Sequence, residues 1–251
     1  FEPVGGEIEG LACLPLFLAC RAAVRAVVAM ARTEQLGPDE QPGLRAEIWR
    51  NAGLARGYLT PPPPVLIGVG GLSGTGKSTL AAQLAAHVGP APGALHLRSD
   101  VERKRLFGVP ETQRLDRQHY RIGVAERVYS IMDDKARRAL AARHAVIVDA
   151  VYAKPEERVA IEEVARAAGC DFLGLWLTAP DETLIARVEQ RQGDASDADR
   201  RVVKEQLGYD LGEITWSQID AGGAPEAVMA AALGKLSEAG VSLAEPAPPP
   251  P

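Results

Sequence analysis

A chain of 251 residues, 46% of them hydrophobic, is long enough to bury a full core, which excludes disorder throughout. Only 5% is aromatic, so the apolar content is mostly Ala, Val and Leu, as helices packed on a buried parallel sheet require. The formal charge of -5 offers no broad positive field for phosphate backbones, and three cysteines (Cys13, Cys20, Cys170) without CxxC spacing argue against a disulfide scaffold or a zinc site.

The chain opens at Phe1, with neither Met nor a basic leader, which reads as a fragment or processed product. Leu11 to Cys20 is the one apolar stretch that suggests a membrane or export segment. It is about half the length a bilayer needs and carries Pro15, so it is read as a buried helix start and no membrane partner is expected. Leu14, Leu18, Ala22, Val24, Val28 and Ala29 approximate a helical stripe, with Arg21, Arg25 and Arg32 on the remaining surface. Residues 1–60 form a helical lead without a core of its own. Pro61 to Pro64, with fixed φ and no amide donors, form a semi-rigid hinge. The main domain spans 65–240, and a Pro-rich tail at 241–251 is expected to be disordered.

After the hinge, strand-like apolar runs at Val65 to Val69, Ala94 to Leu97, Ala145 to Val148 and Phe172 to Leu177 alternate with helical patterns, and a weaker fifth strand falls at Ile214 to Ile219. Pro155 opens one helix with a Glu-rich first turn and Gly169 stops it; another helix runs through Met229 and Leu236. Such βα alternation predicts a parallel five-stranded sheet with right-handed crossovers.

Directly after the first strand, Gly71 is followed by four residues, then Gly76, Lys77 and Ser78, a full Walker A spacing, with a helix expected from Thr79. Backbone amides across Gly71, Ser73, Gly74, Thr75, Gly76, Lys77, Ser78 and Thr79 would converge on ATP phosphates without Cβ obstruction. Lys77 would add charge, and the Ser78 hydroxyl would hold Mg²⁺. The glycines do not fit GxGxxG, which excludes a dinucleotide-binding fingerprint.

The second strand ends in LRSDVERKRLFG, placing Asp100 at a carboxyl strand end, where it could orient or deprotonate an acceptor hydroxyl. Arg103, one turn later, could meet an acidic group on the acceptor or the transferred phosphate. The alternative is an Asp N-cap on a solvated basic helix. The third strand ends at Asp149, the expected Walker B carboxylate for Mg²⁺, on a strand expected beside the P-loop strand. After the fourth strand, Arg187 and Arg191 stand four apart before a polar, Gly-containing break, which reads as a lid; surface pairing with Asp181, Glu182 or Glu189 is the alternative. His87, His96, His119 and His144 show no ligand spacing and are read as surface or interface residues. Tyr120 and Tyr129 lie in an amphipathic stretch that could shape the acceptor pocket.

These residues resemble the P-loop kinases related to polynucleotide-kinase, zeta-toxin and chloramphenicol-phosphotransferase ATPases, from Val65 to Leu236. GLSGTGKST, LRSDVERKRLFG, VIVDAVYAKPEER and GDASDAD look more closely like the C-terminal ATP-binding half of bacterial two-part proteins that begin with an aminoglycoside-phosphotransferase-like domain; LACLPLFLACRAAVRA is similar to the last helices of that upstream domain. The resemblance implies a nucleoside-kinase-like P-loop NTPase fold in three layers. It carries over phosphate binding by Gly71 to Thr79, acceptor positioning by Asp100, metal binding by Asp149, and the lid role of Arg187 and Arg191. Ser99 stands where polynucleotide kinases often carry a second acidic residue, and Ala150 where they often carry Asn, so a polynucleotide acceptor is the weaker version.

The leading expectation is a cytoplasmic kinase that uses ATP and Mg²⁺ to phosphorylate a hydroxyl of a small molecule or nucleotide. The alternatives are an ATP-binding or hydrolysing regulatory module serving an attached domain and a polynucleotide 5′-hydroxyl kinase.

Overall fold

The structure, a computed structural model, describes residues 8–33, 41–191 and 193–243. The chain divides into two compact units, one spanning Glu9–Pro62 and the other carrying the residues from Pro63 onward.

In the first unit a 3-10 turn, Glu9–Cys13, leads into α1, Leu14–Thr33, which packs along α2, Gln41–Leu59. The buried stripe of α1 is Ala19, Ala22, Ala26 and Ala29, a three-and-four spacing whose small side chains let two helices approach closely. Ala22 and Ala29 of the expected stripe belong to it, whereas Val24 and Val28 are exposed, which corrects those two positions. The helix start is not buried either, because Leu16 and Phe17 face solvent at 57% and 68% exposure. The apolar run is also longer than the sequence reading allowed. Its Ala- and Val-rich turns carry the hydropathy past Arg21 and Arg25, so Glu9–Thr33 is long and apolar enough to cross a membrane by length and composition, a test that helices of soluble proteins also pass.

The second unit alternates strand and helix. Its elements are β1 (Val65–Gly71), α3 (Lys77–Ala85), β2 (Leu95–Arg98), α4 (Ser99–Leu106), α5 (Ile122–Ala141), β3 (Val146–Asp149), α6 (Pro155–Ala168), β4 (Asp171–Thr178), α7 (Asp181–Gln190), α8 (Arg200–Gln206), β5 (Ser217–Asp220) and α9 (Pro225–Glu238). All five strands are parallel, in the order β2-β3-β1-β4-β5. This is the α/β architecture of a P-loop NTPase. β1 is buried along its whole length, which explains why VLIGVGG reads as a continuous apolar run rather than an alternating one.

On one face of the sheet, Val65, Ile67 and Val69 pack with Leu80 and Leu84 of α3 and with Val228 and Leu236 of α9. The intervening residues Gly68 and Gly70 open the other face to Trp216, whose indole donates to Glu162 of α6 at 2.7 Å. Gly174 on β4 completes that slot, since a Cβ there would lie 2.2 Å from the indole. Trp216 also explains why the fifth strand begins at Ser217 rather than Ile214: the preceding residues deliver the indole to the sheet instead of extending its ladder. Pro155 opens α6, and Gly169 ends it in the left-handed conformation at φ 64°. Val241 packs on the core and Leu243 bridges to Val88, so the tail begins later than residue 241; Pro246 to Pro251 lie outside the described residues.

Candidate active site

The loop between β1 and α3 takes its shape from glycines with positive φ, 137° at Gly71 and 89° at both Gly74 and Gly76. At Gly74 a Cβ would also stand 2.5 Å from the Leu184 carbonyl oxygen, so only glycine fits there. One carbonyl, that of Leu72, accepts from the Thr75 hydroxyl at 2.8 Å and from the Lys77 ammonium at 2.9 Å, which ties the loop to its own lysine. The Ser73 amide is held from outside the loop, donating to Gln206 Oε1 at 2.8 Å. α3 begins at Lys77, two residues before the expected start. Ser73, Gly74, Gly76, Lys77, Ser78 and Thr79 line a cavity of about 1130 Å³, while Gly71 and Thr75 shape the loop from behind.

Parallel register brings the next group to the loop. Asp149, the last residue of β3, pairs with Val69 on β1 and with Arg98 on β2, so it projects at the carboxyl edge beside the P-loop as expected. It is buried, with His96 Nε2 at 3.4 Å and Arg98 Nε at 3.7 Å from Oδ2; none of these three atoms has a hydrogen-bond partner among the described residues. Burial pushes the Asp149 carboxyl up, but the His96 ring, Lys77 and the Ser78 hydroxyl together bring it below the ordinary carboxylate range. His96 is therefore not the surface residue that the sequence suggested, and neither is His144, which is buried with its ring nitrogen 2.9 Å from the Gly93 carbonyl.

Asp100 sits in the first turn of α4 and lines the same cavity. Enclosure pushes its carboxyl above the ordinary value; the Ser196 hydroxyl opposes this, and Asp149 adds to it. The Lys77 ammonium is pushed down by enclosure, sustained by Asp149 and Asp100, and opposed by Arg191 and Arg98. Five charged groups from four parts of the chain thus act on one another around the loop. The rest of α4 is not a solvated basic helix. Glu102, Arg103 and Lys104 are buried, with Glu102 bonded to Lys135 at 2.6 Å and Arg105 at 3.0 Å. Arg103 lines the cavity, donates to the His119 carbonyl at 3.0 Å and lies 4.6 Å from the Tyr120 ring centroid.

The segment after α7 closes over these groups through side-chain charge. Asp197 accepts from the buried Lys104 at 2.5 Å, from the Tyr120 hydroxyl at 2.6 Å and from the Leu115 amide at 2.9 Å, while Asp194 pairs with Arg98 at 3.1 Å. Arg191 lines the cavity, as do Tyr120 and Tyr129. Arg187 does not. It donates to the carbonyls of Ala221 at 2.8 Å and Gly223 at 3.3 Å, pinning the loop after β5, so the two arginines expected on one lid serve different places. Sequence reasoning missed His96, Arg98, Lys104, Asp197 and Gln206. The available signal was in β2, where His96 and Arg98 alternate with the buried Leu95 and Leu97.

The AAA domain family (AAA_33) matches residues 66–209. The chain belongs to this family. The matched AAA domain contains the P-loop, Asp100, Asp149, Arg191 and the segment that closes over them. An uncharacterized protein of Mycobacterium tuberculosis H37Rv is 30% identical over 225 residues, which are 88% of this chain and 44% of that protein, and a Mycobacterium bovis protein matches to the same extent. The chain thus spans less than half the length of these curated relatives. Among solved structures, the fold is similar to a gluconokinase from Sinorhizobium meliloti 1021, with a TM-score of 0.50 and 22% identity over 70% of this chain and 93% of that one. It is likewise similar to the tunicamycin resistance protein of Deinococcus radiodurans, with a TM-score of 0.50 and 20% identity over 74% and 100%. The AAA domain therefore has a kinase-like P-loop fold.

Proposed function

We propose that the domain transfers the γ-phosphoryl group of ATP to a hydroxyl of a small molecule or nucleotide. The observation that carries this reading is the convergence of Lys77, Asp149, Asp100 and Arg191 on one cavity large enough for two ligands. Its volume, about 1130 Å³, exceeds the range of roughly 300–1,000 Å³ usual for one small-molecule site.

In this reading the P-loop amides and Lys77 hold the ATP phosphates. Asp100 accepts the acceptor's proton as its oxygen bonds to the γ-phosphorus and the bond to the β–γ bridging oxygen breaks, releasing ADP. Lys77 and Arg191 stabilise the charge on the moving group. The Ser78 hydroxyl and Asp149, whose buried Oδ2 lacks a hydrogen-bond partner, are hard oxygen donors that fit Mg²⁺, which binds through one or two protein oxygens together with phosphates. When bound, Mg²⁺ supplies neutralisation of the β- and γ-phosphate charge. Arg187 holds the loop after β5 and is no longer assigned to the lid. The reading also takes in an upstream aminoglycoside-phosphotransferase-like domain as a partner, on the resemblance of LACLPLFLACRAAVRA to the last helices of such a domain.

The test is transfer of label from γ-³²P-ATP with Mg²⁺ to aminoglycosides, nucleosides, sugars, sugar acids and 5′-hydroxyl oligonucleotides, with Lys77→Ala as the blank. A labelled small molecule absent from the blank supports the reading. Tight ATP binding with label only in inorganic phosphate would favour a regulatory ATPase, and a labelled oligonucleotide would favour a polynucleotide kinase.

A further inference from the structure

Resting on the kinase reading, one side chain behind the P-loop points to how the site tells a nucleoside triphosphate from a diphosphate. The peptide that joins Leu72 to Ser73 is held from both sides. Its carbonyl accepts from the Lys77 ammonium at 2.9 Å and from the Thr75 hydroxyl at 2.8 Å, while its N–H donates to Gln206 Oε1 at 2.8 Å. A P-loop lysine serves the β- and γ-phosphates, so this peptide stands at the terminal-phosphate end of the loop. There the cradle lacks one of its amides, because the Ser73 N–H is already bonded to Gln206.

The Gln206 side chain is fixed both in place and in orientation. Val203, one turn earlier on α8, is fully buried with Leu184 and Val188 of α7, and Leu72 of the loop packs on the same cluster. Gln206 itself is 7% exposed. A backbone N–H can bond only to the oxygen of a carboxamide, so the contact with Ser73 decides which arm is Oε1 and which is Nε2. Nε2 has no hydrogen-bond partner among the described residues, yet it is not shut away from solvent. Gln206 lines the same cavity as Ser73, Lys77 and Ser78, and it is there that the two unbonded donors are open to a ligand. Buried donors are ordinarily matched, so this pair calls for an acceptor that the protein does not supply.

We propose that Gln206 Nε2 donates to an oxygen of the terminal phosphate of ATP. The side chain takes the Ser73 amide out of the cradle and returns two donors in its place. A hydrogen bond to a charged phosphate oxygen is of the stronger kind. It exists for ATP and is lost once the terminal group has been transferred, so it favours ATP over ADP and helps the product to leave. Gln206 is then a nucleotide-binding residue 128 positions beyond the end of the Walker A spacing at Ser78, brought to the phosphates by the packing of α8 on α7.

The test is calorimetric titration of the wild type, Gln206→Met and Gln206→Glu with AMPPNP and with ADP, each with Mg²⁺. Gln206→Met removes the acceptor and both donors at similar length, and AMPPNP binding should weaken about tenfold or more while ADP binding stays within about threefold of wild type. Gln206→Glu keeps an acceptor for the Ser73 N–H but offers no N–H and adds negative charge. It should lose AMPPNP affinity at least as far and leave ADP affinity near wild type. A residue that only anchors the loop gives the opposite pattern, with Gln206→Met weakening both nucleotides alike and Gln206→Glu restoring both. That pattern overturns the proposal, as does a ratio of AMPPNP to ADP affinity that neither variant moves; in both cases the kinase reading stands. Should Gln206→Met not fold, Gln206→Glu carries the test, since it preserves the bond that holds the loop. Wild-type protein that binds neither nucleotide removes the kinase reading, and this proposal with it.

Discussion

The P-loop wall of the cavity is fixed by backbone, whereas the α4 wall is fixed by side-chain charge. On the first wall, positive-φ glycines, a fully buried strand and the Leu72 carbonyl set the geometry before any ligand arrives. On the second, buried ions hold the chain: Lys104 and Tyr120 converge on Asp197, and Lys135 and Arg105 converge on Glu102. Backbone geometry is preorganised and insensitive to pH. Charge clasps open when one partner is lost, which suits the proposed function, in which this wall admits an acceptor and then excludes water.

The contrast can be broken from either side. Lys77→Ala removes the cation of the rigid wall, and phosphoryl transfer should fall by about 10³-fold or more while the fold persists, as thermal denaturation alongside the rate assay will tell. Gly74→Ala places a methyl 2.5 Å from the Leu184 carbonyl at a φ of 89°, so AMPPNP affinity should drop at least tenfold with the loop's distortion. Asp197→Ala leaves the buried Lys104 with only the Gln113 carbonyl, and chemical denaturation should register a loss of about 3 kcal/mol. Hydrogen exchange in 193–199 should rise in the same variant.

A change of pH should separate the walls more gently. Asp100 is raised by enclosure, so the rate should be lost as pH falls through a value above the ordinary 3.9 or so for Asp. For Asp197, burial pushes up, but the Lys104 and Tyr120 bonds bring it below that value, so its contribution to stability is present above the ordinary value and is lost only as pH falls through the lower folded one. Activity should therefore disappear in acid before the fold does, and a circular dichroism titration run beside the rate profile will reveal the gap.

The sequence was legible wherever function lies in a local spacing. Gly71 to Ser78 carries its own strand, turn and helix signals, and Asp100 and Asp149 close apolar runs. It was not legible where distant segments meet. Arg187 and Arg191 share helical spacing, yet Arg187 reaches the loop after β5, a destination set by tertiary packing rather than periodicity. His96 stands beside Asp149 only because β2 and β3 pair in parallel register, and Gln206 reaches the Ser73 amide across 133 residues of chain. In the lead, the expected stripe joined Val24 and Val28 to Ala22 and Ala29, whereas close helix packing buries the alanines and leaves the valines exposed.

The central claim, that Asp100 acts on an acceptor while the P-loop acts on the nucleotide, is tested most directly by Asp100→Asn with AMPPNP affinity and labelled transfer measured on the same preparation. The account predicts an affinity within about twofold of wild type and transfer reduced by about 10²-fold or more. Transfer at the wild-type rate, or affinity and transfer falling together, would contradict it.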